Sequence, residues 1–262
     1  MDALNIQASR PRHISPEEWA VRVDLAACYR LIRHFEWDDL ILTHNSARVP
    51  GTTNQFLINP MGLMFDEITA SNLIKIDVDG NQVEPSEYEP NYAGFVIHSA
   101  IYLGRPDVEC VIHTHTEDVI AVSAQEDGLL PASQWALWFT GQLAYHDYEG
   151  ISLDLDERAR LQASIGDKPV MVLRNHGLLA TGRNVAEAFK WTYLFERAAA
   201  AQVKMQAAAA GAGCKLLLPS NEAKASQAAL ATDASNAPRL GGQREWPSLL
   251  RLCDKLDPAF RA

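Results

Sequence analysis

The chain has 262 residues, 47% of them hydrophobic and 21% charged, and its 33 acidic against 23 basic side chains leave a formal net charge of −10. This is ordinary globular composition with enough apolar mass for a large core. With no basic run in the sequence, nucleic acid and an anionic membrane are excluded as expected partners, because binding either needs clustered cations. The four cysteines, Cys28, Cys110, Cys214 and Cys253, show no C-x-x-C spacing, which speaks against a disulfide framework or a cysteine zinc site. The N-terminus lacks the apolar core of a signal peptide, and no stretch reaches the roughly 18 apolar residues of a membrane span. A cytoplasmic protein with reduced thiols is expected.

In chain order, residues 1–14 read as a loosely attached arm. Ser15-Pro16-Glu17-Glu18 is a helix start, with an N-cap serine, proline at the first position and acids in the first turn. Apolar spacing carries that helix to about Phe35. A β-rich section follows: 41–43 leading into the polar cluster His44-Asn45-Ser46, then 55–58, then the alternating 73–78 before the Asp79-Gly80 turn. A polar loop spans 85–92. A helix is expected over 94–103, a strand over 108–113, a helix over 117–125, a strand over 143–148 and a helix over 154–165. Strands at 170–173 and 178–180 bracket Arg174-Asn175-His176-Gly177. A long helix capped by Asn184 runs to about Ala209. Residues 219–243 read as a linker, and 244–256 as a terminal helix. The domain expectation is an arm at 1–14, one domain at 15–210, and a linker with a helical extension at 211–262. Strands and helices do not alternate as β-α-β units, so a mixed sheet flanked by helices fits better than a doubly wound one.

The chemistry-bearing motif is Val111-Ile112-His113-Thr114-His115. On a strand, histidines at i and i+2 share a face, so both imidazoles can converge on one ion at roughly 2.0–2.1 Å. His176, at the end of another apolar strand with Gly177 behind it, is the third candidate; the glycine lets the chain turn sharply without a side chain over the ion. Three histidines leave a fourth position open, as in a catalytic zinc site. Read alone, the H-x-H pair is more simply explained as two rings hydrogen-bonded at a strand end.

The segments THNSARVPG, FLINPMGLMFDEITASNLIKIDVDGN, FVIHSAIYLGRPDVECVIHTHTEDVIAVSA and RNHGLLATGR occur in the order found in class II aldolase/adducin proteins. From about Trp19 to Gln206 the chain resembles that family, which includes fuculose-phosphate aldolase and ribulose-phosphate epimerase. The resemblance implies an α/β fold, a three-layer α/β/α sandwich with a mixed, largely antiparallel central sheet. It implies a homo-oligomer, a tetramer with active sites between subunits. It also implies Zn²⁺, or another divalent ion such as Mn²⁺, Fe²⁺ or Co²⁺, on His113, His115 and His176. Asn45, Ser46, Gly62 and Gln134 are the substrate contacts it suggests.

The aldolases carry a catalytic glutamate in a Ser-Ser-Glu motif, where this sequence has Tyr92-Ala93-Gly94. Met61 stands at a threonine of their phosphate loop. Phosphate needs several donors or cations, so a sugar phosphate is not the expected substrate. A proton transfer at carbon needs a base within reach, and none is evident at position 94. His98 and Tyr102, i and i+4 on one helix, are the candidates; His98 reads equally as a ligand, a base or a packed polar residue. His146 reads as a surface group or a neighbour of the ligands, Glu117 and Asp118 as helix-start charges, and Arg174 as an anion contact or an intersubunit ion pair. Glu187, Lys190 and Trp191 read as a solvated or interface face. Two functions follow: a metal-dependent lyase acting on a small hydroxy-carbonyl or hydroxy-acid substrate, or a non-catalytic, adducin-like scaffold that retains a metal site.

Overall fold

A computed structural model describes residues 10–151, 154–232 and 241–262. Helix α1 (Pro16–His34) starts as expected, with Ser15 Oγ accepting from the Glu18 amide. Strands β1 (His44–Arg48), β2 (Gln55–Ile58) and β3 (Ile74–Asp77) form an antiparallel meander. Then come α2 (Tyr92–Gly104, capped by Asn91), β4 (Cys110–Thr114), α3 (Glu117–Ser123), the short α4 (Gln134–Leu137), β5 (Leu143–His146) and α5 (Glu157–Ile165). The hairpin β6 (Val170–Leu173) and β7 (Gly177–Gly182) leads into α6 (Val185–Ala212), followed by α7 (Asn221–Thr232) and α8 (Trp246–Leu256).

The strands make one seven-stranded sheet in the order β3-β2-β1-β4-β7-β6-β5. Each neighbouring pair is antiparallel except β5 with β6. One face carries α2 and α5, with Val96, Ile101, Leu161 and Ile165 packed on Phe56, Val111 and Leu179. The other carries α1, α6 and α8, through Leu31, Phe189 and Trp246 among others. The expected three-layer sandwich with a mixed, largely antiparallel sheet is therefore the fold. Fully burying one such aromatic or aliphatic side chain contributes about 1.5–3 kcal/mol. No helix among the described residues is long and apolar enough to cross a membrane.

Three local expectations differ from the structure. The polar cluster His44-Asn45-Ser46 lies inside β1 and is fully packed, not beyond its end. Where β1 and β2 part, the Tyr29 hydroxyl replaces the missing ladder partner: it takes the Asn45 amide hydrogen at 2.7 Å and bonds Asn59 Oδ1 at 2.9 Å. Within the 219–243 stretch read as a linker, 221–232 is helical, as its alanines favour. The first nine residues of the expected arm lie outside the described residues, while Ile14 is buried in the core. At the other end Trp246, Cys253 and Phe260 are buried too, and Trp246 Nε1 donates to Asp24 at 2.9 Å.

Candidate functional site

The end of β4 carries His113, and His115 follows just beyond it; the outer nitrogens of both rings are committed. His113 Nδ1–H donates to the Leu178 carbonyl at 2.7 Å, and His115 Nδ1–H to Asp39 Oδ2 at 3.1 Å. Carbonyl and carboxylate oxygens only accept, so each neutral ring carries its proton on Nδ1 and a lone pair on Nε2. Those two Nε2 atoms stand 2.8 Å apart. The chain around them is pinned by Thr114 and Thr116, whose hydroxyls donate to the two Glu196 carboxylate oxygens at 2.8 and 2.7 Å.

The β6–β7 hairpin brings His176 to the same point. Its turn residue with left-handed backbone is Asn175, at φ 56°, a conformation asparagine tolerates better than most. Gly177 is needed for close approach, not for the turn as the sequence suggested. A Cβ there would lie 2.3 Å from the Thr114 carbonyl oxygen and 3.0 Å from the His115 ring. The His176 ring centroid is 4.9 Å from that of His113 and 4.7 Å from that of His115. One ligand nitrogen from each of the three lies within 4.8 Å of the others. Burial, with the neighbouring rings second, holds His113 well below the usual histidine range and His176 down to about 4. At neutral pH His113 and His176 therefore present uncharged donor nitrogens, the form that binds a cation.

A fourth ring backs this cluster. His44 stands directly across the ladder from His113, with ring centroids 5.0 Å apart. Its Nδ1 pairs with His98 Nε2 at 2.9 Å; His98 Nδ1 pairs with Ser46 Oγ, and Ser46 Oγ with the Tyr102 hydroxyl at 2.8 Å. All four side chains are buried. Burial lowers His98 to about 3 and raises Tyr102 well above the usual phenol range, so both stay neutral. His44 also occupies the space over α2 that a side chain at 94 would need: a Cβ on Gly94 would sit 2.7 Å from both Cγ and Cδ2 of His44.

Beside His115 lies an open cleft of about 590 Å³, walled by 35–39, Thr116, Glu196 and Arg197 among others. Burial raises Glu196 to about 7, against the opposing effect of its two threonine hydroxyls.

The family model for the class II aldolase and adducin N-terminal domain matches residues 23–203. The chain belongs to this class II aldolase/adducin family. A Pseudomonas aeruginosa protein named as a putative aldolase class 2 protein is 46% identical over 258 residues, covering 98% of each chain. Rat alpha-adducin is 41% identical over 247 residues, which cover 91% of this chain and 34% of that protein. The crystal structure of an aldolase II superfamily protein from Pseudomonas syringae superposes with a TM-score of 0.88 at 50% identity, covering 95% of this chain and 98% of that one.

Within this class II aldolase fold the sequence-expected residues separate into two groups. His113, His115 and His176 come together. His98, Tyr102 and Ser46 form the buried chain behind them, with both His98 nitrogens already used. Asn45, between His44 and Ser46 on β1, points by strand alternation to the α1 face, and its buried side-chain amide has no hydrogen-bond partner among the described residues. Gly62 (φ 94°) lies in an exposed loop, and Gln134 is exposed at the start of α4.

The Arg174 guanidinium caps the carbonyls of Gln125 and Glu126 and stacks 4.2 Å over Tyr145. His146 is buried and bonded to Ser164 at 2.9 Å. Trp191 is core, and Lys190 pairs with Glu245 at 2.6 Å, so that helix face is not solvated. Sequence reasoning missed His44 and Asp39. Strand alternation across 44–48 would have placed His44 beside Ser46; nothing in the local sequence marks Asp39.

Proposed function

We propose that this protein is a divalent-metal-dependent lyase of the aldolase type, acting on a small hydroxy-carbonyl or hydroxy-acid substrate that is not a sugar phosphate. The carrying observation is the pair of Nε2 lone pairs facing each other at 2.8 Å. Two acceptors at that distance repel unless a proton or cation lies between them, and burial disfavours the proton. His176 adds a third neutral nitrogen, and three imidazoles with an open position fit Zn²⁺, Mn²⁺, Fe²⁺ or Co²⁺. A cation held there supplies Lewis-acid polarisation of an adjacent carbonyl or hydroxyl oxygen, the requirement of aldol cleavage. The protein's own part is to hold three rings in the donor tautomer and to leave the cleft side open. The Gly94 position argues against the proton-transfer arrangement expected of the sugar-phosphate enzymes, and no phosphate cradle replaces it at Met61-Gly62.

The second reading is a non-catalytic, adducin-like scaffold that retains the metal site, favoured by that same missing carboxylate and by the likeness to alpha-adducin. Metal analysis and a turnover screen decide between the two. Protein purified without chelator should carry about one divalent ion per chain, and the His115→Ala, His176→Ala double variant almost none. Turnover on a panel of hydroxy-carbonyl compounds that vanishes in His113→Ala supports the lyase. A folded, metal-loaded protein inert on the whole panel supports the scaffold, and a wild-type chain that takes up no ion defeats both.

A further inference from the structure

We infer that Asp39 is a positioning residue for the metal centre, holding His115 in the tautomer and orientation that a cation requires; this rests on the metal-binding reading above. Of the two rings carried by β4 and its extension, His115 lacks a backbone anchor. It lies beyond the last residue of β4, so no ladder bond orients it. Its Nδ1–H has one acceptor, Asp39 Oδ2 at 3.1 Å, whereas His113 is anchored on the backbone carbonyl of Leu178. A carboxylate in this place fixes the ring, forces the lone pair onto Nε2 and raises the basicity of the ligand.

The segment bearing Asp39 is built to hold it still. Phe35 and Trp37 stack at 4.8 Å and pack edge and face against Phe189 and Tyr193 of α6. The Trp37 amide donates to Ile32 and the Leu42 amide to the Asp39 carbonyl, each at 2.9 Å. Two non-glycine residues with left-handed backbone flank the aspartate: Glu36 at φ 60° and Leu40 at φ 50°. Such conformations persist only where surrounding contacts over-determine them, and they gather at functional sites. Here the two reversals present one carboxylate to one histidine at the edge of the open cleft. Asp39 is 40% exposed on its side chain, so its removal leaves no buried hole.

The test measures Zn²⁺ affinity by competition with a chromophoric chelator, for the full-length wild type, Asp39→Ala, Asp39→Asn and Glu117→Gln. Glu117 is an exposed carboxylate on the same cleft wall and controls for simple charge. Asp39→Ala should weaken Zn²⁺ binding about 10–100-fold. Asp39→Asn should fall between, since its amide oxygen still accepts the Nδ1 proton without the charge. Glu117→Gln should stay within about twofold. In the metal-free protein, imidazole ¹⁵N spectra should show the His115 proton on Nδ1, a preference lost in Asp39→Ala. An Asp39→Ala protein that binds Zn²⁺ within about twofold of wild type, or a Glu117→Gln protein that loses as much, overturns the role of Asp39 while leaving the three-histidine site standing. A wild type that binds no Zn²⁺ overturns the site itself.

Discussion

Replacing Gly94 by alanine should destabilise this protein, although the same change at a helix position is ordinarily favourable by about 1 kcal/mol. Gly94 lies in the first turn of α2, its amide donating to the Asn91 cap at 3.2 Å, and nothing in its backbone bars a side chain. The obstacle is His44. The new Cβ would meet two of its ring carbons at 2.7 Å, well inside the roughly 3.5–4.0 Å of a relaxed carbon contact. The ring cannot swing away, because Nδ1 is tied to His98 at 2.9 Å and the His113 ring packs against it, centroids 5.0 Å apart. Overpacking of this kind costs about 1–3 kcal/mol. Set against the helix gain, Gly94→Ala should lose up to about 2 kcal/mol, about 1 kcal/mol at the middle of that range, in the wild-type background. With His44→Ala already in place the clash is gone, and the same change should be neutral or stabilising by up to about 1 kcal/mol. A double-mutant cycle by urea unfolding should therefore return a coupling near 2 kcal/mol. Equal effects of Gly94→Ala in both backgrounds would refute the steric coupling. They would also reopen the possibility that a carboxylate restored at 94 could reach the histidines.

Glu196 gives a pH prediction. Its folded value near 7 stands above the ordinary 4.5, so the native state holds the proton more tightly and stability is fullest below about 4.5, falling as pH rises through 7. The loss in metal-free protein is on the order of 3 kcal/mol. Glu196→Gln should flatten the unfolding midpoint across that window and gain stability at pH 8; an unchanged slope refutes the assignment. Along the buried chain, Ser46→Ala strands both His98 Nδ1 and the Tyr102 hydroxyl and should cost about 2 kcal/mol, whereas Tyr102→Phe leaves His98 paired and should cost about 1 kcal/mol. Thermal unfolding giving the reverse order would show that the hydroxyls are not connected through Ser46.

The local sequence carried most of the elements and the three-histidine cluster. Ser15 and Asn184 accept the capping hydrogen bonds expected of them, whereas the Asn91 cap of α2 lies in the stretch expected as loop. The i, i+2 spacing of His113 and His115 translates directly into a shared face. His44 was not legible, because a run of histidine, asparagine and serine has the composition of a turn and becomes strand only by pairing with 110–113 and 56–58. That pairing is long-range, and tertiary context overrides such local preferences. Asp39 was illegible for a related reason. Its importance comes from a partner 76 positions away, and the strained backbone beside it falls on glutamate and leucine, where no glycine or asparagine advertises a reversal. Gly177 was noticed for a valid reason that proved the wrong one: the carbonyl it must clear belongs to β4, which no local reading of the hairpin can supply.

Sheet topology explains why the histidines gather at all. β4 lies between β1 and β7 and runs antiparallel to both, so its C-terminal end meets the N-terminal ends of its two neighbours. His113 and His115 come from that end of β4, His44 from the first residue of β1, and His176 from the residue before β7. Three strands thus deliver four rings to one rim of the sheet with no insertion or long loop. Packing alone does not ask for this. Neutral imidazoles with lone pairs turned towards one another contribute less to stability than an apolar cluster of the same volume would. On the reading proposed above, the missing stabilisation is what a bound cation would supply. The surrounding residues agree with that account: Leu178 and Asp39 fix two tautomers, Gly177 admits the third ring, and Gly94 gives way to the fourth.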